Sequence, residues 1–162
     1  MNELGVPHKW SVIDYVREEV RRQGHDIEAL DGIERVGWML DAWCYALRQK
    51  TLAGPTPLSL DAVHIGMLIE PYKNSRGMRR VAVRVGTRIC PYAEEVPRLL
   101  GALFERRDSM SPLELYKEFE EIHPFVDGNG RTGKILLNWI GGTLLEPVFP
   151  PNDLWGRPIV NP

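Results

Sequence analysis

Apolar positions along the chain recur mostly at spacings of three and four. Val12, Ile13, Val16 and Val20 fall on one helical face between Ser11 and Gln23, and Gly24 is a natural stop. From Ile27 to Gln49, Leu30, Ile33, Val36, Met39, Leu40, Trp43, Cys44 and Leu47 predict a longer helix with a broad apolar face. Gly32 and Gly37 weaken it locally. Thr51 to Leu58, with Gly54, Pro55 and Pro57, reads as a loop. Ser59 is a candidate cap for a helix over Leu60–Glu70, which Pro71 ends. The period then falls to two. Val81, Val83 and Val85 alternate with Ala82 and Arg84, between Gly77 and Gly86, which predicts a short β-hairpin. Helical spacing resumes at Val96, Leu99, Leu100 and Leu103. Ser111-Pro112-Leu113-Glu114 is a capping box with proline in the first turn, opening a helix to about Ile122. After a Gly-rich loop, Ile135, Leu136, Leu137, Trp139 and Ile140 predict a last helix over Arg131–Leu145. Pro147 to Pro162 is proline-rich and reads as an irregular tail. The pattern predicts an all-α domain with one short hairpin, without repeats or a second domain.

Composition narrows the function classes. The 162 residues suffice for a real core, and 43% hydrophobic with 26% charged residues is ordinary for a globular domain. A net charge of -2 argues against a dominant nucleic-acid surface. Cys44 and Cys90 form no CxxC pair and no Cys/His ligand spacing, so they are expected to be core thiols in a reducing compartment. The first ten residues hold no apolar signal core, and no apolar run approaches the ~18 residues of a membrane span. Neither nucleic acid nor membrane is expected as a partner. The expected location is the cytoplasm, or a host cell reached by a non-Sec route.

The chemistry concentrates in residues 123–134. A histidine, a carboxylate, glycines, an asparagine and two cations sit between two apolar helices. Gly128 and Gly130 let backbone N–H groups approach an anion, and the helix that follows adds its N-terminal dipole. Arg131 and Lys134 suit polyphosphate oxygens. Asp127 is a hard ligand suited to Mg²⁺ shared with substrate phosphates. His123 titrates in the range needed to take a proton from a hydroxyl. These residues alone describe an anion-binding loop with an acid/base group and a metal ligand. A Walker loop is excluded because the Gly-Lys-Ser/Thr ending is missing, and a dinucleotide fingerprint because no strand precedes the loop. Each residue also has a plainer reading: a structural histidine, an Asp-Gly turn, a solvated lysine. His8, His25 and His64 lack partners in the pattern and read as structural or surface residues.

His123-Pro-Phe-Val-Asp-Gly-Asn-Gly-Arg-Thr-Gly-Lys134 resembles the Fic family signature, His-x-Phe-x-Asp/Glu-Gly-Asn-Gly-Arg-x-x-Arg/Lys. Arg76–Pro91 looks like that family's β-hairpin flap, and the resemblance runs over roughly residues 30–150. It implies a single Fic-type helical bundle with a flap, with the helix over residues 11–23 and the tail attached. It implies a protein adenylyltransferase using Mg-ATP. His123 would deprotonate a target Ser, Thr or Tyr hydroxyl, which would attack the α-phosphate and release pyrophosphate. Asp127 would hold Mg²⁺. Gly128, Asn129 and Gly130 would cradle the nucleotide, with Asn129 on the α-phosphate, and Arg131 and Lys134 would bind the β- and γ-phosphates. Phe125 would anchor the loop in the core, and the target protein would lie along the flap.

Two departures stand out. Lys134 replaces the Arg of many members, keeping the charge but losing the bidentate fork. The family's inhibitory Ser/Thr-x-x-x-Glu-Gly/Asn helix has no match, since no glutamate here precedes Gly or Asn. That leaves a separate small inhibitor such as an antitoxin, a degenerate brake, or no brake. Self-association is available to the family, without a motif here that selects it. Rival functions are the same scaffold with UTP, GTP, CDP-choline or ATP as phosphate donor, and a silent nucleotide- or partner-binding module. Arg76, Arg79, Arg80, Arg84 and Arg88 read either as a solvated hairpin face or as a selector for an acidic target. Trp155 is a candidate neighbour of the nucleotide base.

Overall fold

A computed structural model describes residues 8–152 and Leu154. Trp155 lies outside the described residues. Six α-helices follow one another: α1 (Val12–Arg22), α2 (Leu30–Ala53), α3 (Ser59–Ile69), α4 (Val96–Glu105), α5 (Pro112–Ile122) and α6 (Asn129–Ile140). Two short 3-10 turns flank α4. Between α3 and α4 lies an antiparallel hairpin, β1 (Arg84–Val85) and β2 (Arg88–Ile89), with Arg84 opposite Ile89.

The helices form where the spacing places them, with shifted ends. Ser11 caps α1 by accepting from Asp14 N–H. Ser111 and Glu114 close the expected capping box on α5. α2 starts later and ends later than its pattern suggests, absorbing Thr51–Ala53 and stopping at Gly54, whose φ of 135° breaks the helix. Its Gly32 is a packing site: a Cβ there would lie 2.0 Å from the Asp26 carbonyl oxygen. α3 is capped by Asp61, whose carboxylate accepts from Leu58 N–H, and Ser59 is already helical. α6 begins two residues before Arg131, behind Gly128 at φ 77°, and ends at Gly141. The hairpin is shorter than its sequence suggests. Val81 and Val83 lie outside its strands, and Val81 is exposed.

α2 packs on α1, α3 and α6, and α5 packs between α4 and α6. Their apolar faces meet in one core containing Tyr15, Met39, Trp43, Ile65, Leu103, Phe119, Phe125, Ile135 and Trp139. Cys90 is buried, but Cys44 is exposed on the outer face of α2, and both thiols are free. The segment after α6 crosses α1. Tyr15 donates its hydroxyl to the Val148 carbonyl, and Phe149 stacks on Tyr15 with ring centroids 4.0 Å apart. Among the described residues no helix is long and apolar enough to cross a membrane.

Candidate active site

The site is built on the connection between α5 and α6. α5 ends at His123, the one non-glycine residue at positive φ among those described (φ 52°). The left-handed turn reverses the chain, and Phe125 then inserts into the core. Phe125 lies against Gly66 of α3, where a Cβ would come within 2.3 Å of its ring. Asn129 staples the loop: its Oδ1 accepts from Phe125 N–H at 2.9 Å and its Nδ2 donates to Phe125 O at 3.0 Å. Both polar atoms of this side chain are therefore engaged within the loop. The first turn of α6 presents N–H groups ahead of its opening helical bond, Thr132 N–H to Gly128 O.

The last carbonyls of α5 are capped by the hairpin segment. Arg79, 3% exposed, donates from Nε to His123 O at 2.7 Å and from Nη2 to Ile122 O and to Pro91 O; its Nη1 donates to Val81 O. Arg88 donates to Glu121 O and Glu120 O. Guanidinium groups at a helix C-terminus satisfy orphan carbonyls and meet the negative end of its dipole. For these two arginines, both the solvated-face reading and the target-selecting reading give way to this role.

His123 Nδ1 lies 3.4 Å from the Glu120 carbonyl, which can only accept, so Nδ1 carries the proton and Nε2 is the basic nitrogen. Burial lowers the imidazole pKa below its ordinary value; the Glu120 hydrogen bond opposes this, and the charges of Arg88 and Arg79 add to it. The shift favours the neutral imidazole.

Asp127 is held from both of its carboxylate oxygens. Its Oδ1 accepts from Gly128 N–H at 2.7 Å, and its Oδ2 pairs with Lys73 Nζ at 2.5 Å. Partial burial pushes its pKa up, but hydrogen bonds from Lys73 and Gly128 and the charges of Lys73 and Arg131 outweigh that and hold it low. Among the described residues no three His, Cys, Asp or Glu side chains gather into a metal site of their own. A single, partly exposed carboxylate beside an anion cradle fits Mg²⁺, which keeps most of its waters and shares substrate phosphates.

The two cations differ. Arg131 is buried and gives Nη2 to Glu70 at 2.7 Å, while its Nε and Nη1 have no hydrogen-bond partner among the described residues. Glu70 also accepts from Arg35 Nε. Lys134 donates to Glu19 of α1 at 2.8 Å. Glu19 is fully buried and also accepts from Gln23, which overlies Gly130. The Ser/Thr-x-x-x-Glu-Gly/Asn pattern is not matched around Glu19, because Tyr15 stands four residues before it and Val20 follows it. The signal in the sequence was an acidic residue on the apolar face of α1, which must find a cation when buried. Lys73 and Arg79 were missed as site residues, having no spacing to mark them. Glu120 was missed too: burial raises its pKa to about 7, with Lys134 and Arg88 opposing and Glu19 reinforcing the shift.

The arrangement can hold an anion at a helix start, offer a neutral base beside it, and present a carboxylate for a cation. By structure the chain is similar to a Fic family protein from Desulfovibrio desulfuricans G20, with a TM-score of 0.60 at 19% identity, covering 80% of this chain and 46% of that one. It is also similar to a segment of Fic-1 from C. elegans, with a TM-score of 0.57 at 24% identity, covering 82% and 44%. The chain thus spans less than half the length of those solved proteins, and the likeness shows the fold. The Fic/DOC family, whose members generally transfer a nucleoside monophosphate to proteins, matches residues 57–141. That span is more than half of the chain and holds the flap, His123, Asp127 and the start of α6, so the chain belongs to the Fic/DOC family.

Proposed function

We propose that this chain is a protein adenylyltransferase that moves AMP from Mg-ATP to a Ser, Thr or Tyr hydroxyl of another protein. The observation that carries the reading is His123: an imidazole with Nδ1 turned to the Glu120 carbonyl and Nε2 without a hydrogen-bond partner among the described residues, leading directly into a helix start suited to polyphosphate. The target hydroxyl gives its proton to Nε2 as its oxygen attacks the α-phosphorus. The bond from that phosphorus to the bridging oxygen breaks, and pyrophosphate leaves. Asp127 would hold a divalent cation, which would supply charge neutralisation at the phosphates. The N–H groups of Asn129 and Gly130 orient the phosphates, Asn129 acting through its backbone because its side chain holds Phe125; Gly128 shapes the cradle by its left-handed turn, its own N–H being held by Asp127. Arg131 has two buried guanidinium nitrogens without a hydrogen-bond partner among the described residues, and phosphate oxygens would satisfy such donors. The flap receives the target segment along its strand edge.

Lys134 is the γ-phosphate cation in this reading, and Glu19 holds it. α1 is then a degenerate brake carried in the chain, one of the three arrangements the sequence left open alongside a separate inhibitor and no brake. The test is incubation with α-³²P-labelled ATP, Mg²⁺ and a cell lysate, for wild type, Glu19→Ala and His123→Asn, with labelled UTP and GTP in parallel. Label on protein that rises in Glu19→Ala and vanishes in His123→Asn is expected. Equal label with His123→Asn would overturn the base assignment, and label from another nucleotide alone would overturn the donor.

A further inference from the structure

Lys73 reaches the site from outside the signature. After α3 ends at Ile69, the turn over residues 70–74 runs back across the start of α6. It is pinned on both sides of Lys73. Before it, Glu70 is buried and bonded to Arg131 at 2.7 Å. After it, Asn74 is buried and donates from Nδ2 to Asp127 O at 2.8 Å and to Gly66 O at 2.9 Å. Lys73 Nζ then meets Asp127 Oδ2, with the side chains 48% and 38% exposed.

An exposed Lys–Asp pair is ordinarily a minor surface contact. Here buried side chains on either side of Lys73 are tied to the first turn of α6 and to the backbone of Asp127 itself, so the pair is set by buried anchors. Gly128 N–H takes the other carboxylate oxygen. Both oxygens of the carboxylate assigned to the cation are thus occupied by the protein itself. An ammonium and a divalent ion on one oxygen repel strongly at such range. A polyphosphate brings the negative charge that can draw the ammonium away.

We propose that Lys73 is a built-in counter-ion of the cation site: it keeps a free divalent ion off Asp127 and passes to the α-phosphate oxygens when the nucleotide arrives with its cation. This rests on the assignment of Asp127 as the cation ligand. Cation binding is thereby made conditional on nucleotide.

Free Mn²⁺, counted by its electron paramagnetic resonance signal, tests this without turnover. The full chain is titrated as wild type, Lys73→Met, Lys73→Gln and Lys73→Met/Asp127→Asn, with and without α,β-methylene-ATP, with folding checked by circular dichroism. Without nucleotide, both Lys73 variants are expected to bind Mn²⁺ about tenfold or more tightly than wild type, a gap on the order of one charge–charge repulsion. With the analogue, wild type is expected to bind Mn²⁺ at least as well as the variants. Equal Mn²⁺ affinity of wild type and both single variants without nucleotide, with binding still lost in Lys73→Met/Asp127→Asn, overturns the counter-ion alone. Binding that survives in Lys73→Met/Asp127→Asn overturns the cation assignment on which it rests.

Discussion

Glu19 and Lys134 stand 115 residues apart and meet at 2.8 Å, with the carboxylate fully buried. The contact joins α1 to the first turns of α6, where the phosphates belong in the proposed reaction. Replacing Glu19 with Ala is expected to raise the initial rate of protein labelling about tenfold or more, ~1.4 kcal/mol in the barrier. Stability should move the other way. Lys134→Ala strands a buried carboxylate and is expected to cost roughly 3–5 kcal/mol. Glu19→Ala costs less, because a lysine stem can lift its ammonium toward water. Thermal melts of both variants and of the double variant check the order.

His123 titrates below its ordinary range because it is partly buried and faces two arginines. The free base is the active form, so kcat/KM should fall on the acid side with a midpoint under the unperturbed ~6.5 and hold level through neutrality. Arg88→Met removes one nearby positive charge and is expected to move that midpoint upward. An acid limb centred above 7 in wild type would exclude His123 as the base. Asn is the inactive control because it tolerates the left-handed backbone that His123 adopts.

Arg79 joins the hairpin to the turn holding the base. Arg79→Met leaves the carbonyls of His123, Ile122, Val81 and Pro91 without their donor. Charged hydrogen bonds contribute about 1.5–3 kcal/mol each in isolation and are not additive, so a loss of roughly 2–4 kcal/mol is expected. Hydrogen exchange should quicken across residues 81–91 before it quickens in α2. Arg79→Lys keeps the charge but not the fork, and is expected to rescue little.

Glu120 gives a pH signature of opposite sign to that of a surface carboxylate. Its pKa rises from 4.5 to about 7 because it is buried, so the folded chain binds more protons than the unfolded chain between those values. The stability it contributes is present below pH 4.5 and is lost as pH rises through 7. Glu120→Gln is expected to flatten that slope and to raise the melting temperature at pH 8 relative to wild type. A steeper slope in the variant would contradict the assignment.

Much of this was legible before any coordinates. The Ser111 capping box marked the start of α5, and the spacing of Val12, Val16 and Val20 marked α1, because those signals are local. The loop from His123 to Lys134 announced its chemistry by residue type. Long-range pairings left no such trace. Nothing near Glu19 says that Lys134 lies opposite, and Lys73 carries no motif. Arg79 looked like one of five hairpin arginines until the fold aimed it at a helix end. Cys44 joined the apolar spacing of α2, yet the helix turns it outward. The hairpin strands came out short because Arg79, rather than strand pairing, fixes the segment before them.

Gly66 touches no part of the proposed chemistry, yet it sets the depth to which Phe125 seats and therefore the height of the loop above the core. A screen for lost transfer would recover substitutions at 66 alongside those at 123. The two classes would part on nucleotide binding: the histidine variant keeps the cradle, whereas a methyl at 66 displaces the whole loop. In that sense the reaction has an address on α3 as well as on the loop, and selection on catalysis reaches a residue that a catalogue of contacts would file under packing.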